Sequence, residues 1–220
     1  MTFSSEWDSR FKQNKNISIW PWSDLVSYVK RYSNFSKKNP MILELGCGPG
    51  ANIPFFLSIT KNYYAIEGSS TIVKKVVKKI PKLKNNLVVG DFTLEIPFQK
   101  KFDIIFDRAA ITHNDTKSIS NCLENIHNKL NKNGLFIGID WFSTQHSDFS
   151  DGSYVDSFTK NCFKKGQFAS VGNVHFANKS HLLKLFKKFE FLVLEHKIIT
   201  KEIPKKNKFA TWNFVARKIN

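Results

Sequence analysis

Short apolar runs alternate with segments of helical period through most of this chain, and that alternation restricts its fold more than any other feature. Five strands are predicted at residues 41–45, 63–66, 87–89, 102–106 and 135–139. Helices are predicted at residues 23–35, 51–59, 71–80, 116–130 and 180–189. Strands that alternate with helices at this spacing pair in parallel, so the sequence predicts an α/β fold with helices on both faces of the sheet.

The last part of the chain departs from that alternation. Two further strands, at residues 191–199 and 209–216, are separated only by a short turn that contains Pro204. Because no helix fits between them, they must pair as an antiparallel hairpin. Residues 140–178 hold no sustained period, and we interpret them as an inserted loop region over the carboxyl edge of the sheet.

The chain carries 34 lysine and arginine residues against 18 acidic ones, a formal net charge of +16. Such a balance is typical of proteins with polyanionic partners. Only four of the basic residues are arginine, however, and recognition of bases and phosphates favours arginine. The lysines are also spread along the chain, so a nucleic-acid partner is disfavoured but stays an alternative.

Three cysteines, Cys47, Cys122 and Cys162, lie far apart in a chain that is 41% hydrophobic. Their spacing matches neither a metal site nor a disulfide framework, so we expect free thiols, a reducing cytoplasmic location and no bound metal. No apolar run approaches the ~18 residues that span a bilayer. None has the layout of a secretory signal.

A glycine-rich motif, ELGCGPG at residues 44–50, joins the first predicted strand to the next helix. Glycines let the backbone turn tightly and approach a ligand closely. The helix that follows presents free amide donors and the positive end of its dipole. Glu67 closes the second strand, the position from which an acid accepts ribose hydroxyls. This pattern predicts a nucleotide-type site.

Gly46-x-Gly48-x-x-Ala51 also satisfies the dinucleotide fingerprint of nicotinamide enzymes. Three features favour a different ligand. Glu44 inside the motif would face a pyrophosphate at an electrostatic cost, whereas it accepts a hydrogen bond from an ammonium group. Residues 90–92, Gly-Asp-Phe, close the third strand with an acid and an aromatic ring, which suit the amino group and face of adenine. The third feature is the antiparallel hairpin that completes the sheet.

Taken together, residues 44–50, Glu67, Asp91 and Phe92 resemble the class I S-adenosylmethionine-dependent methyltransferases, over about residues 41–140. The resemblance implies a Rossmann-like seven-stranded sheet in the order 3-2-1-4-5-7-6, with strand 7 antiparallel. It implies one domain over residues 1–220. Its parts would be an N-terminal lid and helix (1–40), a cofactor-binding core (41–140), an inserted substrate loop region (141–178), and a terminal helix with a hairpin (179–220).

S-adenosylmethionine is the cofactor that this resemblance implies, with S-adenosylhomocysteine as the product. Glu44 would lie near the methionine ammonium, Glu67 on the ribose, and Asp91 with Phe92 at the adenine. Cys47 and Pro49 are common variants within the glycine motif. The full set of expected cofactor-binding residues is Glu44, Gly46, Cys47, Gly48, Glu67, Gly68, Ser69, Asp91, Phe92 and Asp107.

Residues 107–114, DRAAITHN, follow the fourth strand, where this family places groups beside the transferred methyl. The segment lacks the Asn/Asp-Pro-Pro-aromatic turn of enzymes that methylate amino groups of DNA or of protein glutamine. We expect His113 as the catalytic base, His175 as a second candidate from the insertion, and Arg108 on an anionic part of the acceptor. Structural roles for both histidines, and a catalytic or capping role for Asp140, stay open.

Aromatic residues at 7–11 and 20–22, with residues 175–179, also resemble small bacterial methyltransferases of surface-glycan and sugar pathways. That resemblance implies methyl transfer to a hydroxyl or amine of a small polar acceptor, such as a sugar or nucleotide-linked sugar. We expect residues 1–22 to fold across the carboxyl edge of the sheet as a lid. The alternative is an RNA methyltransferase or a basic nucleic-acid-binding module on the same fold.

Overall fold

A computed structural model describes residues 5–15, 17–33 and 39–219. Its ten strands are β1 (Ile42–Leu45), β2 (Tyr63–Glu67), β3 (Leu87–Val89), β4 (Phe102–Arg108), β5 (Leu130–Phe142), β6 (Ser153–Tyr154), β7 (Thr159–Asn161), β8 (Val174–His175), β9 (Phe189–Lys201) and β10 (Asn207–Lys218). Its six α-helices are α1 (Ser5–Lys12), α2 (Ser23–Tyr32), α3 (Ile53–Ile59), α4 (Ser70–Lys79), α5 (Thr116–Lys129) and α6 (Lys179–Leu185).

The main sheet has seven strands in the order β3-β2-β1-β4-β5-β10-β9. The first five pair in parallel, and β10 runs antiparallel to both β5 and β9. The predicted α/β fold with a terminal hairpin is therefore confirmed. The predicted strand order, 3-2-1-4-5-7-6, differs from this one in its last two numbers. The prediction treats the segment between β5 and β9 as a loop, whereas three short strands, β6 to β8, lie there.

The inserted segment forms a small antiparallel sheet, β6-β7-β8, and a 3₁₀ turn at Ser147–Ser150. Strands of two or three residues are too short to give a period of two in the sequence, which explains why the sequence analysis expects a loop. The insertion packs on the carboxyl edge of the main sheet through a cluster of apolar side chains. These are Ala109, Phe142, Phe163, Phe168, Val171, Val174 and Phe176.

Helices cover both faces of the main sheet, as predicted. Side chains of α2, α3 and α4 pack with Ile42 and Phe106 on one face. Side chains of α5 and α6 pack with Leu43 and Leu45 on the other. Successive strand residues point to opposite faces, so one short buried strand contributes to both layers. No helix in the part of the chain that the structure describes is long and apolar enough to cross a membrane.

The N-terminal segment contains a helix, α1, that the sequence analysis does not predict. Asp8 of α1 accepts a hydrogen bond from Ser69 Oγ at 2.5 Å, and Arg10 donates to the Ala169 carbonyl at 3.2 Å. These two contacts fasten α1 to the loop after β2 on one side and to the insertion on the other. Tertiary contacts therefore stabilise a helix of only eight residues, which is too short to be stable alone.

Helix α2 ends at Tyr32, three residues before the predicted end. Residues 34–38 lie outside the described residues, and so do residues 1–4 of the expected lid. Of the remaining lid aromatics, Phe11 is buried, whereas Trp20 is 76% exposed. Only part of the aromatic segment therefore packs against the sheet.

Candidate active site

A cavity of about 760 Å³ opens at the carboxyl edge of the parallel strands. One side, the glycine-loop half, is formed at the ends of β1, β2 and β3 by Glu44, Gly46, Cys47, Gly48, Glu67, Gly68, Gly90, Asp91 and Phe92. The other side, the insertion half, is formed by Trp22, Arg108, His113, Asn114, Asp140, Phe142, Gln167, Phe168 and Val171. Trp7 and Phe11 of α1 also line the cavity.

The glycine loop turns through left-handed backbone, with a φ of 70° at Gly46 and 49° at Gly48. A Cβ atom added to Gly46 would lie 2.3 Å from the Cβ of Ala110, well inside contact distance. Gly46 is therefore required both by its φ angle and by the close approach of the loop after β4. The same absence of side chains leaves backbone exposed to the cavity.

Glu67 ties two loops together at the end of β2. Its Oε2 accepts a hydrogen bond from Gly48 N at 2.8 Å, and its Oε1 accepts one from Ser69 N at 2.9 Å. Burial raises the pKa of Glu67, while these backbone donors oppose that rise. A carboxylate offers about four lone-pair sites, so both oxygens keep acceptor capacity. Gly68 lines the cavity, but Ser69 does not, since its Oγ caps α4 by accepting from Ile72 N.

Glu44 lies at the end of β1, almost fully buried. Its Oε1 accepts from Asn52 Nδ2 at 2.9 Å, and its Oε2 accepts from the hydroxyl of Tyr63. Burial raises the pKa of Glu44 to about 7, against the effect of these two donors. Asn52, which the sequence analysis does not single out, also accepts from Trp22 N at 3.2 Å and so connects Glu44 to the insertion half.

Asp91 and Phe92 follow β3, and both line the cavity. Asp91 Oδ1 accepts two hydrogen bonds from Thr93, from the backbone N at 2.9 Å and from Oγ1 at 2.6 Å. This turn fixes the direction in which Asp91 leaves the strand. Phe92 also packs against the main core.

Asp107 corrects an expectation, because it is fully buried and lies outside the cavity wall. Its Oδ1 accepts from Ala110 N at 2.8 Å and Ile111 N at 3.0 Å, and its Oδ2 accepts from Trp141 Nε1 at 2.7 Å. Burial raises the pKa of Asp107 to about 7. Its carboxyl group therefore holds the loop after β4 in place instead of facing a ligand.

Arg108 and Asp140 form an ion pair across the ends of β4 and β5. Arg108 Nη2 lies 2.9 Å from Asp140 Oδ2, and the guanidinium carbon lies 3.6 Å from the ring centroid of Trp22. Asp140 Oδ1 accepts from Lys197 Nζ at 2.7 Å, and that ammonium also pairs with Asp24 at 2.6 Å. One carboxylate thus neutralises two cations beside the cavity.

The two strand ends that carry this pair have unusual backbone. Ala109 has a φ of 57° and Asp140 a φ of 56°, in the left-handed region that non-glycine residues rarely adopt. Ala109 N donates to Ile139 O at 3.0 Å, which keeps the two strand ends side by side. Such conformations cost about 1–3 kcal/mol each and cluster at functional sites.

His113 faces the cavity from the 3₁₀ turn after β4. Its Nδ1 lies 3.1 Å from the carbonyl of Asn173. Because a carbonyl only accepts, Nδ1 must carry the proton, which leaves Nε2 with a free lone pair. Trp7 packs edge-on at 4.9 Å between ring centroids. Burial lowers the pKa of His113 to about 4, so the imidazole is neutral near pH 7.

His175, the second candidate for the base, is not brought to the cavity. It is fully buried in the insertion, where Nδ1 lies 2.9 Å from Thr159 Oγ1 and Nε2 lies 3.1 Å from His181 Nε2. Burial lowers its pKa to about 3. The structure therefore gives His175 a packing role between β7 and α6.

His146 and Gln167 are two further residues that sequence reasoning misses. Buried His146 accepts at Nδ1 from Asp148 N at 3.1 Å, so in the neutral ring Nε2 carries the proton. Nε2 lies 3.3 Å from the Gln167 side-chain amide, which must therefore turn its oxygen toward His146. The Gln167 amide donor is then directed away from His146, on a side chain that lines the cavity.

Residues 42–134 match the family described as a methyltransferase domain. A protein of Methanocaldococcus jannaschii, itself named as uncharacterised, is 25% identical over 185 residues, which cover 80% of this chain and 47% of the relative. The chain therefore spans about half the length of the curated relative it matches.

Solved structures share the fold at low identity. The N-methyltransferase NodS of Bradyrhizobium japonicum, in complex with S-adenosylhomocysteine, has a TM-score of 0.68 at 12% identity, covering 99% of this chain and 100% of NodS. An S-adenosylmethionine-bound amino pentose methyltransferase of Micromonospora echinaspora has a TM-score of 0.58 at 13% identity, covering 100% and 98%. Residues 42–134 are therefore similar to a methyltransferase domain, and the sheet has the fold of these solved structures.

Proposed function

We propose that this domain transfers a methyl group from S-adenosylmethionine to a hydroxyl or amine of a small polar acceptor of the sugar class. The observation that carries the proposal is the composition of the insertion half. It sets the aromatic rings of Trp22 and Phe142 beside an arginine–aspartate pair in one cavity. Rings pack against the apolar face of a sugar, while the ion pair offers a donor and an acceptor to its hydroxyls.

The names of two proteins with the same fold agree with this proposal. NodS is an N-methyltransferase, and the Micromonospora protein is an amino pentose methyltransferase. At 12% and 13% identity these names describe those proteins, and they support only the choice of acceptor class to be tested first.

We propose that the glycine-loop half holds the cofactor. Glu67 would accept from the ribose hydroxyls, Asp91 and Phe92 would contact adenine, and Glu44 would accept from the methionine ammonium. Gly46, Cys47, Gly48 and Gly68 would contact the ligand along the turns after β1 and β2. The fit rests on two buried carboxylates, Glu44 and Glu67, that line the cavity beside the glycine loop.

The bound sulfonium supplies an activated methyl group, so the protein mainly has to align the acceptor and exclude water. His113 Nε2 is the basic atom in position to take the proton that the acceptor loses. Its neutral form predominates near pH 7, as a base requires, although a pKa near 4 makes it a weak one. Arg108 would hold an anionic group of the acceptor, and Asp140 positions Arg108.

Helix α1 would act as the inner part of a lid. Trp7 and Phe11 line the cavity, and Phe11 lies 3.9 Å from the position of a Cβ on Gly48. These rings occupy space in the cavity and so exclude water from it. Burial stabilises this arrangement by about 2 kcal/mol for each ring. On this proposal α1 encloses the bound cofactor once it has entered.

The test supplies methyl-labelled S-adenosylmethionine and the purified protein to a bacterial extract, then separates nucleic acid, protein and small molecules. We expect label in the small-molecule fraction, and a fall of at least about 100-fold with His113→Ala. Affinity of that variant for S-adenosylhomocysteine should stay within about threefold of wild type. Label in RNA would establish the RNA methyltransferase instead, and equal transfer by His113→Ala would remove His113 as the base.

A further inference from the structure

Two exposed segments border the mouth of the cavity, and we call them together the rim: residues 17–22 and residues 198–208. Ile17 and Trp22 of the first segment line the cavity, as does Phe209 next to the second. Lys197 of β9 and Asp24 of α2 join the two segments at 2.6 Å. Both segments therefore begin or end beside this ion pair and next to residues that line the cavity.

The rim exposes large apolar side chains to solvent. Trp20 is 76% exposed and Ile203 is 83% exposed. The other exposed apolar members are Ile17, Ile19, Trp22, Ile198 and Ile199. Single exposed hydrophobic residues are ordinary on protein surfaces, but several of them in two segments next to a cavity are typical of an interaction site.

Basic side chains accompany these apolar ones. The tip of the β9–β10 hairpin holds Lys201, Lys205, Lys206 and Lys208 against one acid, Glu202, which lies 3.7 Å from Lys206. Beside the first segment, residues 8–24 contain three basic residues, Arg10, Lys12 and Lys15, and two acids, Asp8 and Asp24, which pair with Lys12 and Lys197. Two acids of the insertion, Asp148 and Asp151, accept from backbone N–H groups of residues 167 and 164. The rim therefore carries net positive charge.

We infer that the rim docks on an anionic phospholipid surface. Tryptophan and aliphatic side chains partition into the interfacial region of a bilayer, and lysines attract its anionic headgroups. RNA fits less well, because its binding sites present arginines and flat stacking rings rather than isoleucines. Docking in this orientation turns the cavity toward the membrane. An acceptor carried at that surface would then reach the insertion half directly, a step that rests on the proposed function.

The test measures co-sedimentation of the full chain with vesicles of phosphatidylcholine, with and without about one third phosphatidylglycerol, at low and high salt. We expect binding to the anionic vesicles at low salt and its loss at high salt. Lys205→Glu with Lys206→Glu should weaken binding by at least about tenfold. Trp20→Ser should weaken it by about fivefold.

Two matched variants serve as controls. Lys78→Glu with Lys79→Glu makes the same charge change at the C-terminal end of α4, at the opposite edge of the sheet. Leu183→Ser removes an exposed apolar side chain of α6. Both should change vesicle binding by less than about twofold. Equal losses in the α4 and rim variants, or no binding to anionic vesicles, would overturn the inference, and tighter binding to polyuridine would favour RNA.

Calorimetry with S-adenosylhomocysteine on every variant checks the fold independently. None of the substituted residues lines the cavity, so the affinities should stay within about twofold of wild type. A wild-type protein that binds vesicles but not S-adenosylhomocysteine would contradict the proposed cofactor site and leave the membrane inference standing. The reverse result would contradict only the membrane inference.

Discussion

The two halves of the cavity are held together by contacts of different range. In the glycine-loop half, Glu67 bonds to residues 2 and 19 positions away, and Glu44 bonds to Asn52, 8 positions away. In the insertion half, Arg108 and Asp140 are 32 positions apart, and His113 and Asn173 are 60 apart. Local backbone geometry shapes the first half, whereas side-chain pairs between distant segments shape the second.

This difference in range suits two different tasks. A half fixed by backbone N–H donors and left-handed glycines keeps one shape, as binding of one unchanging cofactor requires. A half assembled from ion pairs and insertion side chains changes shape when a single residue changes. Substitutions should therefore act on binding in the first half and on turnover or stability in the second.

The largest effect is expected from Gly46→Ala. The new Cβ would meet Ala110 at 2.3 Å on left-handed backbone, so the glycine loop must move. Calorimetry should show S-adenosylhomocysteine binding weakened by more than about 1000-fold, or about 4 kcal/mol. Gly90→Ala is the control, since its Cβ would lie an ordinary 3.4 Å from Ile66. Similar binding by both variants would contradict a rigid glycine loop.

Asp140→Asn should have the next largest effect, on stability rather than on cofactor binding. The change replaces a buried carboxylate with an uncharged amide, so Arg108 and Lys197 lose their shared counter-ion. The free energy of unfolding, measured with urea, should fall by about 3 kcal/mol. The matched change Glu190→Gln breaks an exposed pair with Arg217 and should cost less than about 1 kcal/mol. An equal cost for both would mean that Asp140 does not organise the insertion half.

Glu67→Ala should weaken S-adenosylhomocysteine binding by about 2–3 kcal/mol, because charge-assisted bonds to ribose and the link to Gly48 are both lost. Calorimetry measures this change, and His113→Ala in the insertion half is the comparison. If both variants lose affinity equally, the two halves do not divide the tasks. Tight binding of a nicotinamide dinucleotide by wild type would contradict the proposal that the cofactor is S-adenosylmethionine.

The smallest effect concerns pH and the insertion that supports the second half. Burial lowers the pKa of His175 to about 3, below its unfolded value of 6.5, so the unfolded chain binds the proton first on acidification. Stability from this residue is present above pH 6.5 and is lost as pH falls toward 3. Between pH 6.5 and 5.5, wild type should lose about 1 kcal/mol relative to His175→Gln.

Urea unfolding at each pH gives the two curves, and His127→Gln on α5 provides the control. His127 contacts the carbonyl of Ile219 from the edge of the protein. If the free energies of unfolding of wild type and His175→Gln change equally between pH 6.5 and 5.5, the buried histidine pair does not destabilise the fold on acidification.

The sequence predicts that Glu44, Glu67 and Asp91 come together, because each stands at the end of an apolar run, and all three line the cavity. Chain position alone does not tell which way a side chain turns, which is why Asp107 and Ser69 are wrongly expected in the cavity wall. Asp107 also stands at the end of an apolar run. Its carboxyl group, however, accepts hydrogen bonds from two N–H groups of its own loop and from the indole of Trp141.

The insertion half is less predictable. Arg108 and His113 are found because they follow β4, but their partners Asp140, Lys197 and Asn173 come from distant segments whose approach no local pattern encodes. His175 is not brought to the cavity, because its ring bonds to Thr159 and His181, two partners that no local pattern reveals. The pairing of His146 with Gln167 depends on a ring tautomer fixed by Asp148 N, which only the folded insertion reveals.

The left-handed backbone at Asp140 has a consequence for how the chain tolerates random mutation. Glycine, asparagine and aspartate adopt this conformation most readily, so most other residues at position 140 would be rejected on backbone grounds. Of those three, only aspartate balances both neighbouring cations. Ala109, in the same conformation one strand away, carries no such charge requirement, and glycine there would relieve strain. In a mutational library over these two positions, folded variants should keep aspartate at position 140 but accept other residues, such as glycine, at position 109.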